Sequence, residues 1–70
     1  MRYDFFVRQD EDEPAELIFN GSLEEYKDDP ISSQWKGCEI VAEDIVTYEQ
    51  YWVDENTKTL EAIGTQVIAR

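Results

Sequence analysis

Apolar and polar residues alternate through most of this 70-residue chain, at the two-residue period of a β-strand. From Arg2 to Arg8, Tyr3, Phe5 and Val7 fall on one face, and Arg2, Asp4, Phe6 and Arg8 on the other. Phe6 makes the second face partly apolar, so both faces are expected to be covered. Ala15 to Asn20 predicts a second strand, with Leu17 and Phe19 on one face and Ile18 on the other. Cys38 to Ala42 predicts a third. Cys38, Ile40 and Ala42 face one way, Glu39, Val41 and Glu43 the other, and Glu43-Asp44 marks a bulge or bend. The densest stretch is Ile45 to Ile63. Ile45 to Val53 is rich in β-branched and aromatic residues, Asp54 to Lys58 supplies turn formers, and Thr59 to Ile63 resumes the alternation. This predicts a hairpin with a loop of about five residues. Gly64 interrupts the pattern, and Gln66-Val67-Ile68 predicts a short last pairing. No internal repeat stands out.

Two readings compete after the second strand. Asn20-Gly21 is a two-residue hairpin signal, but that pairing sets Glu16 opposite Glu25, two like charges. Alternatively Ser22 caps a short helix, with Glu25 completing a capping box and Leu23 and Tyr26 on the inner face. Pro30 disfavours helix at Asp29 and closes the segment. The helix is preferred. Pro30 to Gly37 is then a connector whose Trp35 lids a small core. The expected fold is one α+β domain over residues 1–70, a curved antiparallel sheet of four to five strands with one short helix. The alternative is an all-β, SH3-like barrel.

Charge adds a second layer. Seventeen acids stand against six bases, a net charge of −11. Such a surface repels nucleic acid and membranes bearing anionic lipid, and attracts basic partners. The 41% apolar content, laid out in strand patterns, argues against disorder despite the charge. A chain this short has a small core, and its single cysteine, Cys38, excludes an intrachain disulfide. No apolar run is long enough to span a bilayer, and no secretory leader pattern opens the sequence. A cytoplasmic protein is expected.

Gly37-Cys38-Glu39-Ile40-Val41-Ala42-Glu43-Asp44-Ile45-Val46 resembles a short segment of YopX-like phage proteins, which are small and mostly β. The likeness covers ten of 70 residues and departs from that family where Glu43 stands in place of a glycine. It implies a phage or mobile-element origin.

Signatures of catalysis are missing. There is no histidine, hence no Ser-His or Cys-His pair, and no phosphate-cradling glycine loop. Cys38 sits in an apolar alternation among acids, a structural setting rather than a nucleophilic one. Asp10-Glu11-Asp12-Glu13 matches only the start of a calcium loop, and Pro14 breaks it. No cofactor or metal is expected, and no enzyme.

The remaining chemistry is rows of carboxylates on regular elements, which can imitate the phosphates of DNA or RNA. The candidate partner-binding residues are Glu24, Glu25, Asp28 and Asp29 on the helix. On the hairpin they are Glu49, Tyr51, Trp52, Asp54, Glu55 and Glu61. The expected rows are Glu24 with Asp28, Glu25 with Asp29, and Glu49 with Glu61. Acids for fast encounter and aromatics for buried area suit an interface. The expected function is a non-enzymatic inhibitor of a nucleic-acid-binding enzyme or nuclease, of the anti-CRISPR, anti-restriction or immunity type. The alternative is a self-associating assembly module, a homodimer for instance, whose acids only keep it soluble.

Overall fold

The computed structural model describes residues 1–10 and 12–68. Five strands form one antiparallel sheet: β1 (Tyr3–Arg8), β2 (Glu16–Gly21), β3 (Glu39–Asp44), β4 (Gln50–Val53) and β5 (Leu60–Ala62). Their spatial order is β2-β1-β3-β4-β5. The sheet is open, with β2 and β5 at its edges, so the barrel alternative is excluded.

Between β2 and β3 lie one helix, α1 (Leu23–Asp28), and a 3-10 turn at Pro30–Ser33. The preferred helix forms for the expected reason. Ser22 Oγ accepts the Glu25 amide at 3.1 Å, and Glu25 Oε1 accepts the Ser22 amide at 2.9 Å, so two otherwise orphaned donors are satisfied. Gly21 permits this closeness. A Cβ there would stand 2.9 Å from the Phe19 ring and 3.1 Å from Glu25 Oε1. Asp29 leaves the helix in extended geometry, and its carboxylate accepts the Ile31 amide at 2.9 Å to start the 3-10 turn.

The main core lies between this helical segment and one face of the sheet. Tyr3, Phe5 and Val7 face it as expected, together with Ile40, Ala42, Val53 and Tyr26. Tyr26 stacks on Phe5 with ring centroids 4.2 Å apart and planes 5° apart. Each such buried ring contributes roughly 2–3 kcal/mol by apolar burial. Trp35 and Cys38 pack half-buried at the border. The Trp35 indole N–H is buried and lacks a hydrogen-bond partner among the described residues.

The second face is also covered, as Phe6 suggested. Phe6, Val41 and Trp52 stand side by side across β1, β3 and β4, and Val41 is fully buried. Gln50 ties the C-terminal segment over this face. Its amide nitrogen donates to Glu43 Oε2 and to the Ile68 carbonyl, and its oxygen accepts the Val67 and Ile68 amides, all within 2.7–2.9 Å.

Four expectations need correction. Leu17 and Phe19 lie on opposite faces, because the β1–β2 register slips at Phe5/Phe6 and pairs Phe5 with Phe19 but Phe6 with Leu17. The bulge leaves Leu17 exposed. Glu43-Asp44 is no bend; both residues continue β3. Gln66-Val67-Ile68 adds no strand, since the amides of Val67 and Ile68 bond a side chain instead. Finally, Ile45 to Val53 is not one strand. The expected hairpin across Asp54–Lys58 is present as β4–β5, but residues 45–48 form a turn and only Gln50–Val53 of its first strand is β, so a second hairpin, β3–β4, precedes it. No helix among the described residues is long and apolar enough to cross a membrane.

Candidate acidic surface and the two hairpin turns

The acids predicted on the helix come together. Glu25, Asp28 and Asp29 line one shallow groove of about 570 Å³, with Phe19, Asn20 and Pro30. Glu24 and Asp28 are both exposed, one helical turn apart. Glu25 and Asp29 share the groove but form no helical row, since Asp29 has already turned out to cap Ile31. Hydrogen bonds from the Ser22 backbone and then its side chain hold the Glu25 carboxyl below its ordinary pKa, with a lesser contribution from Arg2. Arg2 approaches Glu25 at 3.5 Å across solvent, a pair of little energetic weight.

The hairpin acids are divided. The Tyr51 hydroxyl donates to Glu49 at 2.8 Å, which raises the tyrosine pKa and places Glu49 on the Tyr51 side. Glu61 pairs with Trp52 across β4–β5 and so points to the opposite face. The expected Glu49–Glu61 row does not exist. Tyr51 faces the main core, where its ring meets Tyr3 edge-on at 6.1 Å, and Trp52 is half-buried on the second face. Asp54 and Glu55 are exposed but engaged. Asp54 organises its own turn, and Glu55 accepts the Gly37 amide at 3.0 Å.

Basic groups balance little of this charge. Arg8 is held by Glu39 through two bonds of 3.1 and 2.9 Å. Arg2 also reaches Asn20, and the Lys58 ammonium donates to the Ser32 and Glu55 carbonyls. Within the four-acid run, Asp10, Asp12 and Glu13 are exposed; Glu11 lies outside the described residues.

The two hairpins contain a feature missed in the sequence. Asp44 Oδ1 accepts the amides of Val46 and Thr47, and Asp54 Oδ1 accepts those of Asn56 and Thr57. Each aspartate carbonyl accepts the amide four residues on, from Tyr48 or Lys58, and each aspartate amide donates to the carbonyl five on, Glu49 or Thr59. Tyr48 and Lys58 both adopt left-handed backbone, at φ 64° and 56°. The turns at 45–48 and 55–58 are thus the same structure twice. The signal was Asp-x-x-Thr at positions 44–47 and 54–57, a ten-residue repeat. Backbone bonds hold both aspartates below their ordinary pKa, from Val46 then Thr47 for Asp44, and from Thr57 then Asn56 for Asp54.

Among the described residues no group of acids and cysteine is arranged to hold a metal ion. Comparison with protein families, with characterised proteins and with solved structures gives no match.

Proposed function

We propose that this chain is an acidic binding protein that acts by occupying a basic groove on a nucleic-acid-binding protein, in place of DNA or RNA. The observation that carries the reading is the groove beside the helix, where Glu25, Asp28 and Asp29 converge next to Phe19 and Pro30, with Glu24 on the same short helix. The capping box holds the Glu25 carboxylate and the Ile31 amide holds that of Asp29, so little order is lost at these two side chains on binding. With 17 acids against six bases, the surface field is strongly negative. A field of this sign speeds encounter with a basic groove and needs no base readout.

The test is capture on the immobilised chain, with stepwise salt elution and with DNA or RNA as competitor. A nucleic-acid enzyme released at moderate salt and displaced by nucleic acid supports the reading. Recovery of a salt-resistant partner indifferent to nucleic acid, or of the chain alone, refutes it. Changing Glu24 and Glu25 to Gln and Asp28 and Asp29 to Asn should preserve the fold and weaken binding roughly tenfold or more at low salt. The competing reading, a self-associating module, draws on exposed Ile45, Val46 and Tyr48. A charge of −11 on each copy opposes it.

A further inference from the structure

The turn at 45–48 exposes apolar side chains where the equivalent turn at 55–58 carries polar ones. Ile45 is 39% exposed, Val46 78% and Tyr48 60%. The turn at 55–58 is an internal control. It builds the same backbone with Glu55, Asn56, Thr57 and Lys58, so the shared aspartate sets the geometry and the positions equivalent to 45, 46 and 48 accept polar residues. Tyr48 is also a poor residue for its conformation, because bulky side chains rarely adopt positive φ, and glycine or asparagine would fit better.

We propose that the Ile45–Tyr48 turn is a partner anchor that inserts into an apolar pocket rimmed by lysine or arginine. Charge and area both select this occupant. Exposed Glu49 follows the turn directly, and the whole surface is acidic, so the pocket's rim must be basic. A second copy of the chain has the wrong sign. The exposed parts of the three side chains amount to on the order of 300–400 Å², well short of the roughly 800 Å² per partner of a standard interface. The turn is therefore an anchor within a larger, charge-steered contact rather than a dimer interface. The proposal rests on the binding reading above for the partner's basic character, and not on the partner's binding nucleic acid.

The probe is a helical peptide with leucines along one face and lysines flanking them, titrated into the isotopically labelled full chain in about 0.5 M salt, where exposed charges are largely screened. Amide shifts are expected at residues 45–48 and not at the equivalent residues 55–58. Replacing Val46 and Tyr48 together by asparagine leaves charge and turn geometry intact, and should weaken the peptide about tenfold. Exchanging the peptide's leucines for serine should do the same. Unchanged affinity in the variant, or shifts confined to residues 24–29, would overturn the anchor. So would a wild-type dimer in sedimentation whose dilution moves the same amides. Repeating the titration at low salt separates the two readings: shifts at 45–48 with none at 24–29 there would uphold the anchor while removing the acidic groove from the function proposed above.

Discussion

The turns at 44–49 and 54–59 share a hydrogen-bond pattern and a left-handed fourth loop residue, yet they treat their surroundings in opposite ways. The polar turn is fastened to the body of the protein: Lys58 bonds the Ser32 carbonyl in the 3-10 turn, and Glu55 bonds the Gly37 amide. The apolar turn begins from a buried aspartate, yet Val46 and Tyr48 are mostly exposed and Ile45 is exposed in part. Composition would suggest the reverse, with apolar residues packed and polar ones free. In both hairpins the aspartate carboxylate therefore fixes the turn, by collecting two amides and starting the left-handed closure. The other loop residues can then serve docking in one hairpin and a partner in the other.

The largest effect that tests this comparison is loss of the aspartates. Asp44 is 4% exposed at the end of a buried strand, whereas Asp54 is exposed. Asp44→Ala should lower Tm by about 8–12 °C and Asp54→Ala by about 4–6 °C, read by thermal circular dichroism. Equal losses would mean that strand burial adds nothing to the cap.

Acid should act on both turns together. Their aspartates have folded pKa values below the ordinary one, so their stabilisation is complete above about pH 4 and is lost as pH falls through the folded values. Glu25 acts in the same direction at the capping box. NMR titration should give midpoints for Asp44 and Asp54 below the usual aspartate value, reported by the amides of Val46, Thr47, Asn56 and Thr57. Midpoints at the usual value would contradict the cap.

The left-handed positions should then separate the turns. Tyr48→Gly relieves strain and should raise Tm by about 4 °C. Lys58→Gly relieves the same strain but forfeits the bonds to Ser32 and Glu55, so its Tm should not rise. The smallest effect belongs to Val46→Asn, which should move Tm by less than about 2 °C because the side chain meets mostly water.

Where local chemistry and tertiary demand agree, the sequence was legible. The Ser22–Glu25 box announced the helix, and the alternation of Tyr3, Phe5 and Val7 identified the core face of β1. Of the four disagreements, those at Glu43-Asp44 and at Ile45 to Val53 have one origin, a turn that begins only after Asp44. Ile45, Val46 and Thr47 have high β propensity, but propensity is weak against a turn that Asp44 nucleates and Glu49 closes. The β2 bulge likewise gives no sign in Leu17-Ile18-Phe19, since an inserted residue looks the same as a regular one. The fourth is the last segment, where a glutamine side chain supplies the partner that a strand would have supplied. For the candidate site, the Glu24–Asp28 spacing was legible because both residues lie on the helix, whereas the Glu25–Asp29 row failed because Asp29 leaves it. The Glu49–Glu61 row failed because cross-strand register depends on the first turn, which was hidden inside an apparent strand.

The most direct test of the central claim, that residues 45, 46 and 48 are apolar for a partner and not for the fold, is thermal unfolding of a turn graft. Ile45→Glu, Val46→Asn and Tyr48→Lys together copy the second turn into the first. The account predicts a Tm within about 4 °C of the parent protein and native amide shifts at Asp44 and Thr47. A Tm lower by more than about 8 °C would show that the exposed apolar turn helps hold the sheet together, and would contradict the claim.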